Sequence, residues 1–121
     1  MAILAIGTDL VALERLRGVW QRHPQRFLQR HFTPIELEYC LSQTDPLPSL
    51  GARFAAKEAF QKVWPQSFGW REVWVENRGR KPELNFSTAI AQHMRLEGLR
   101  AHLSLSHERA YALAVVVLEQ P

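Results

Sequence analysis

The segment ARFAAKEAFQKVW, residues 52–64, constrains the fold more than any other stretch of the chain. Its apolar residues recur at the spacing of an α-helix, and the pattern stops at Pro65. With about 100° between successive residues, the alanines share one sector of the helix with Phe60 and Val63. Alanine side chains allow a neighbouring element to approach closely. We therefore predict a long central helix over residues 50–64.

The opposite sector of this helix carries charged side chains and one aromatic ring. Glu58 precedes Lys62 by four residues, the favourable order for an exposed ion pair worth about 0.3–0.5 kcal/mol. A solvated face with such a pair is one interpretation of this sector, and a functional site is the other. Phe54 favours a covered face, because an aromatic ring among charged side chains needs a neighbour. Arg53 and Lys57 complete the charged set.

Length and composition predict one ordinary domain spanning residues 1–121. The chain is 46% hydrophobic and 22% charged, which is typical of a globular protein with a single core. Cys40 is the only cysteine, so no intramolecular disulfide can form and nothing points to an oxidising compartment. The apolar run AILAIG, residues 2–7, is too short for a signal peptide or a membrane span. We expect a soluble cytoplasmic protein without a membrane partner.

The remaining periodicities predict an α+β domain in which a mainly antiparallel sheet packs on helices. The expected order is a strand, three helices, two strands, a helix and two strands. Before the central helix we expect a strand over residues 2–7 and a helix carrying Leu10 to Trp20, followed by a short turn or a second helical piece over 25–31. A helix from Thr33 to about Gln43 and a break at TDPLPS come next. After it we expect strands over 71–77 and 83–87, a helix over 88–97, and a hairpin of 101–107 with 111–119. The last strand is nearly all apolar, so we expect it to be buried on both faces.

The net charge of +3 is concentrated in one segment. Residues 15–31 carry arginines and two histidines but no acidic residue. Such a segment attracts nucleic acid, phosphate or an acidic protein surface, and its sign alone cannot choose among these partners. The sequence contains no recognised nucleic-acid-binding motif, so we expect no nucleic-acid partner.

Asp9 is the second candidate functional residue, because the motif AIGTDL places it just past the end of the first predicted strand. An aspartate there commonly caps the following helix. Together with Glu58 it could instead provide two oxygen ligands for Mg²⁺, which proteins hold with one or two carboxylates plus water and substrate phosphates. Spacing alone does not bring Asp9 and Glu58 together, so both interpretations stay open.

His107 is the third candidate, at the mouth of the last predicted hairpin in the motif SLSH. Ser104 and Ser106 alternate with leucines and share one face of that strand. A single histidine near a turn is more often a surface residue than a ligand, and the motif alone does not decide.

In combination, AIGTDL, RFLQRHFTPIELEYC, ARFAAKEAFQK and SLSH followed by YALAVVVLE resemble the holo-acyl-carrier-protein synthase family of small phosphopantetheinyl transferases. The resemblance covers most of the chain in order. It implies the 4'-phosphopantetheinyl transferase fold and transfer of the 4'-phosphopantetheine arm of coenzyme A to a serine of apo acyl carrier protein. Adenosine 3',5'-bisphosphate is the expected second product, and fatty-acid biosynthesis the expected context.

The resemblance also implies roles for individual residues. Asp9 and Glu58 match the family's Mg²⁺ ligands, and with Lys62 they form the expected catalytic set. Glu58, directly or through a metal-bound water, is the candidate general base. Coenzyme A is expected to contact Arg53, Phe54, Lys57, Lys62 and His107, and an acidic acyl carrier protein is expected to contact Arg15, Arg22 and Arg26. The family's homotrimers imply active sites between subunits.

The sequence departs from the family pattern just after the central helix. VWPQSFGWREV replaces the usual glycine-rich loop, with Pro65 at the helix end and only Gly69 following. Trp64, Trp70 and Trp74 make this region unusually aromatic. An alternative packing solution and a changed carrier preference both fit. A paralogue serving polyketide or peptide-synthetase carriers, an inactive paralogue that only engages carriers, and a non-catalytic anion- or nucleic-acid-binding module remain alternative functions.

Overall fold

Five strands and five helices make up the computed structural model, which describes residues 1–121. In chain order they are β1 (Ala2–Ala12), α1 (Leu13–Arg22), α2 (Pro24–His31), α3 (Pro34–Leu41), α4 (Pro46–Val63), β2 (Val73–Arg78), β3 (Lys81–Phe86), α5 (Thr88–Glu97), β4 (Arg100–His107) and β5 (Tyr111–Gln120). None of the helices is both long and apolar enough to cross a membrane.

The strands form two antiparallel sheets beside the long helix α4. One sheet has the order β1-β5-β4, and β2 pairs with β3 in a separate hairpin. The inner face of the three-stranded sheet packs on α4, where Ala114, Val116 and Leu118 of β5 are fully buried. The predicted α+β class, antiparallel pairing and long central helix are confirmed.

Strand β1 lies very close to α4 because both contribute small residues at the contact. Ala55 and Ala59 on the helix are fully buried. Opposite them, a Cβ atom added to Gly7 would overlap the backbone oxygen of Ala59 and touch Val63. The alanine sector of α4 therefore sets the distance between helix and sheet, as its composition predicted.

We expect Gly7→Ala to lower the free energy of unfolding by roughly 1–3 kcal/mol, because backbone atoms must move to admit the methyl group. Urea denaturation followed by circular dichroism measures this change. Gly18→Ala is the matched control, since Gly18 lies inside α1 with its nearest contact at 3.6 Å from the added Cβ. It should stabilise the protein by about 0.5–1 kcal/mol. Equal stability of the two variants would contradict the close approach.

The first strand is longer than predicted. Leu10 belongs to β1, which continues to Ala12 through its pairing with β5, so the hydrophobic residues assigned to the next helix begin only at Leu13. Asp9 consequently lies within the strand opposite Ala114, on the face that packs on α4. Ala12 occupies the N-cap of α1. The alternative role of Asp9 as a helix cap is therefore wrong.

The central helix also begins earlier than predicted. TDPLPS contains the first turn of α4, with Asp45 as N-cap accepting a hydrogen bond from the amide of Leu47 at 3.2 Å. Pro46 and Pro48 are tolerated there because the first amides of a helix have no intrahelical acceptor. Four helices rather than three precede β2, since Pro24 starts α2 as a helix of its own.

Other sequence signals have the expected structural outcome, with one exception. Thr33 and Glu36 form the predicted capping box of α3, and Ser87 caps α5, which ends at Gly98 with φ of 66°. The exception is the outer face of β5, where Tyr111 and Leu113 are exposed. Burial of β5 on both faces was therefore a wrong prediction, because no element of the same chain covers the outer face of its sheet.

Candidate active site

Three charged residues meet at one end of the contact between β1 and α4. Asp9 belongs to β1, and Glu58 and Lys62 belong to α4. The Nζ atom of Lys62 lies 3.5 Å from Oδ1 of Asp9 and donates a hydrogen bond to the carbonyl oxygen of Thr8 at 2.6 Å. Glu58 forms no ion pair with Lys62 within 4 Å. The predicted surface pair along the helix is therefore replaced by a contact between helix and strand.

An open cavity of about 330 Å³ lies beside these groups. Asp9 and Glu58 line it together with Phe54, and α1 contributes Arg15 and Val19. Most of the lining is apolar, with the two carboxylates and one arginine as its charged groups. The tertiary structure thus brings the metal-ligand candidates and one carrier-binding candidate to a single opening.

Burial and proximity make both carboxylates harder to ionise. The pKa of Glu58 is raised first by burial and then by the neighbouring Asp9, while Lys62 acts in the opposite direction. Burial also raises the pKa of Asp9, and Lys62 offsets part of this rise. The Asp9 charge disfavours ionisation of Glu58, and a bound cation would offset this effect.

Asp9→Asn should lower the pKa of Glu58, because the substitution removes a neighbouring negative charge and leaves the Glu58 side chain in place. Carbon-13 NMR titration of the Glu58 carboxyl without divalent cations measures the shift. In the wild-type protein, the raised pKa means that the protonated form of Glu58 favours folding. That stability is present at low pH and is lost as the pH rises through the folded-state pKa. A Glu58 pKa that rises or stays fixed in the variant would contradict the coupling.

The donor set fits a hard divalent cation completed by a phosphate ligand. Two carboxylates face the cavity, and no group of three or more His, Cys, Asp or Glu side chains is placed to hold an ion. Mg²⁺ commonly binds one or two carboxylates and takes its other ligands from water and substrate phosphates. Asp9 and Glu58 are therefore the residues that would hold it.

Lys57 does not lie on the charged surface that the helical pattern predicted. Its side chain is fully buried, and Nζ donates to Glu36 Oε1 at 2.8 Å, to the carbonyl of Trp70 at 2.8 Å and to that of Val73 at 2.7 Å. An ammonium group has three donors, so none remains for a ligand. The expected contact between Lys57 and coenzyme A therefore has no free Nζ donor in this structure.

Arg53 is also buried, but its charge has no acidic partner. Its guanidinium lies 4.4 Å above the ring of Tyr39 and makes long hydrogen bonds of 3.4 Å to Ser49 O and 3.5 Å to Asn77 Oδ1. Its Nε atom has no partner. A buried guanidinium with unused donors is a site that an anion would stabilise.

The other predicted residues lie at the surface. Arg22 ends α1 and Arg26 lies on α2. Both side chains are exposed, as is that of Arg15 on α1. His107 is exposed at the end of β4, and no hydrogen bond or ion pair joins it to Asp9, Glu58 or Lys62. Within one chain, His107 is therefore not bonded to the carboxylate cluster, and its contact with coenzyme A stays a prediction.

Sequence reasoning missed Glu36 as the partner of Lys57. Glu36 is fully buried, and it accepts from the amides of Thr33 at 3.0 Å and Val75 at 2.9 Å in addition to Lys57. The capping-box motif placed Glu36 at a helix start but gave no sign of contacts with α4 and β2. Two residues separated by 21 positions form this pair, and only the tertiary fold brings them together.

Comparisons with known proteins identify the family of the chain. Residues 5–116 match the model of the 4'-phosphopantetheinyl transferase superfamily. The chain belongs to this superfamily. The holo-acyl-carrier-protein synthase of Thermus thermophilus is 55% identical over 117 residues, covering 97% of this chain and 94% of that protein.

Solved structures of the superfamily show the same fold. The synthase of Neisseria meningitidis has a TM-score of 0.89 at 34% identity, covering 98% of this chain and all of that chain. The synthase of Bacillus anthracis, solved in complex with coenzyme A (3',5'-ADP), has a TM-score of 0.80 at 30% identity, with 98% of each chain covered. The phosphopantetheinyl transferase fold expected from the sequence is confirmed.

Proposed function

We propose that this protein transfers 4'-phosphopantetheine from coenzyme A to a serine of apo acyl carrier protein. The observation that carries the proposal is that Asp9 and Glu58 line one cavity, with Lys62 paired to Asp9, in a member of this superfamily. Relatives are holo-acyl-carrier-protein synthases, and the Bacillus anthracis synthase binds coenzyme A. Action in the cytoplasm and in fatty-acid biosynthesis stays a prediction from the sequence.

The residues of the cavity have complementary roles in the proposed reaction. The serine oxygen attacks the phosphorus that bears the pantetheine arm, the bond to adenosine 3',5'-bisphosphate breaks, and the serine proton passes to Glu58. The Glu58 carboxylate lines the cavity, which supports this role. Lys62 extends from α4 to Asp9 and would stabilise the negative charge on the departing bisphosphate.

Asp9 and Glu58 are the proposed ligands of Mg²⁺. When bound, the cation would neutralise the diphosphate and orient its phosphorus for in-line attack. The effect of Asp9 on the ionisation of Glu58 supports this assignment, because a bound cation would offset it. Arg53 is the proposed contact for a phosphate of coenzyme A, since its guanidinium lacks an acidic partner. Arg15, Arg22 and Arg26 are the proposed contacts for the acidic carrier.

Mass spectrometry of the carrier tests the transfer reaction directly. Apo carrier proteins of the fatty-acid, polyketide and peptide-synthetase types are incubated with coenzyme A, with and without Mg²⁺. We expect at least one to gain the mass of one phosphopantetheinyl group in the presence of Mg²⁺ only. Binding of carriers without a mass change would favour the inactive-paralogue alternative and overturn the proposed reaction.

A homotrimer with active sites between subunits is the second part of the proposal. The outer face of the three-stranded sheet exposes large apolar side chains, of which Ile6 and Leu10 are each 61% exposed and Leu113 is 38% exposed. Such a face is suited to contact a second copy of the chain. His107, which is exposed and has no hydrogen bond or ion pair with the cluster of its own chain, would then be available to a neighbouring subunit.

Sedimentation velocity tests the assembly. We expect a trimer for the wild-type protein and dissociation for Leu113→Lys, because the charge would be buried at the sheet face. Leu96→Lys on α5 is the control, since Leu96 is 81% exposed and far from this face in the fold. A monomeric wild-type protein, or loss of the trimer in the control alone, would contradict the sheet-face interface.

A further inference from the structure

Three aromatic rings from different elements pack together beside the candidate active site. Trp70, in the loop between α4 and β2, stacks on Phe54 with ring centroids 4.9 Å apart and planes at 24°. His31, the last residue of α2, contacts Trp70 at 4.8 Å and Phe54 at 5.5 Å. The cluster therefore joins the tryptophan-containing loop, the basic helix α2 and the central helix.

Trp70 is held in place through its backbone. The buried ammonium of Lys57 donates to the Trp70 carbonyl at 2.8 Å. Two further hydrogen bonds close the loop. The Gly69 amide donates to Glu72 Oε2 at 2.8 Å, and the Ser87 amide donates to the Glu72 carbonyl at 2.8 Å. These bonds fix the loop backbone that carries the indole.

Phe54 connects this cluster to the cavity. Its ring lines the opening together with Glu58 and Arg15, whereas Trp70 does not line it. The other contact of Phe54 within the cluster is a neutral imidazole, because burial lowers the pKa of His31 while its Nδ1–H donates to the Phe27 carbonyl at 2.8 Å. Phe54 is thus fixed between two rings and presents an apolar wall opposite the arginine of α1.

We propose that Trp70 is a positioning residue for carrier-protein recognition, which sets through Phe54 the apolar wall of the cavity that receives the carrier. The proposal rests on the transfer reaction proposed above. It assigns Phe54 to the carrier rather than to coenzyme A, because Phe54 shares the cavity with Arg15 of α1. The partner it fits is an acidic protein with apolar side chains around its modified serine. Its acidic groups would meet the arginines and its apolar groups the Phe54 wall.

Steady-state kinetics with apo carrier and coenzyme A varied separately tests the role of Trp70. For Trp70→Ala, we expect KM for the carrier to rise roughly threefold to tenfold, the loss corresponding to one aromatic pair. KM for coenzyme A and kcat should change less than about twofold. Trp70→Phe should restore the wild-type carrier KM, and Trp70→Leu, which keeps apolar volume without stacking, should not. A rise in KM for coenzyme A instead of the carrier would overturn the proposal.

A double-mutant cycle asks whether Trp70 acts through Phe54. The carrier KM of the double variant Phe54→Ala with Trp70→Ala should equal that of Phe54→Ala alone. Without the Phe54 ring, Trp70 has no side chain through which to affect the carrier. Additive effects would show an independent role for Trp70 and overturn the proposal. Trp74→Ala is the matched control, since Trp74 lies on β2, bonds to Glu76 Oε2 at 2.8 Å and makes no ring contact with Phe54. It should leave the carrier KM unchanged.

Calorimetric binding of apo carrier to each variant separates this proposal from the reaction itself. If the wild-type protein binds a carrier without modifying it, the transfer reaction fails, while weaker binding by Trp70→Ala still supports the positioning role. If no carrier binds the wild-type protein, or if Trp70→Ala binds as tightly as the wild type, the positioning role is overturned. Thermal unfolding of all variants in parallel shows that the comparison is made between folded proteins.

Discussion

Glu58→Gln should reduce kcat for carrier modification by roughly 10²–10⁴-fold while leaving the fold intact. The substitution keeps the shape of the side chain but removes the carboxylate that accepts the serine proton and completes the cation site with Asp9. Stability should change little, because Glu58 lies at the half-buried edge of the cavity and forms no ion pair in the structure. The carrier mass assay, run under initial-rate conditions at saturating coenzyme A, measures the loss.

Glu97→Gln is the matched control for this prediction, because Glu97 is an exposed glutamate at the end of α5. It removes the same charge far from the cavity and should retain full activity. Asp9→Asn should resemble Glu58→Gln in its effect on kcat, since the two carboxylates face the same opening. Turnover at the wild-type rate in either cavity variant would refute the assignment of these acids to the reaction.

Lys57→Met should lower the free energy of unfolding by roughly 3–5 kcal/mol, the usual result of removing one partner of a buried ion pair. The substitution leaves the fully buried Glu36 carboxylate without its cation and leaves the carbonyls of Trp70 and Val73 without their donor. Urea denaturation measures the loss. Adding Glu36→Gln should recover part of it, because the second change removes the uncompensated buried charge.

Lys62→Met provides the contrast within the same helix. The Lys62 side chain is 54% exposed and its pair with Asp9 is long, so we expect a stability change below about 1 kcal/mol. Its effect should instead appear in activity, through the loss of charge beside the departing bisphosphate. If the two lysine variants proved equally stable, the structural role of the buried pair would be wrong.

The difference between these two lysines shows where sequence reasoning reached its limit. Both lie in the charged sector of the same helical pattern, where they point in different directions, and nothing in residues 52–64 shows which one is buried. Lys57 is buried because α3 brings Glu36 against the helix and β2 begins beside it. Lys62 stays exposed because it lies one turn further on, where β1 brings Asp9. A periodic pattern describes one element, whereas burial depends on what the rest of the chain places against it.

Asp9 illustrates the same limit at the end of a strand. The sequence placed it past a six-residue strand, where capping and metal binding were equally open. The pairing of β1 with β5 extends the strand and fixes the residue on its inner face. Strand ends are set by partner strands as well as by local composition, which is why this boundary was not predictable from the segment itself.

By itself, the sequence determined the α+β class, the alanine-faced central helix, the capping box of α3 and the family resemblance that named Asp9, Glu58 and Lys62. These features depend on local periodicity, capping chemistry and short motifs, all of which are encoded within a few consecutive residues. Only the tertiary structure decided that Asp9 meets Lys62, that Lys57 belongs to the core, and that Trp70 stacks on Phe54 beside the cavity. These contacts join residues far apart in the chain, and their free energies depend on packing and burial that no single segment contains.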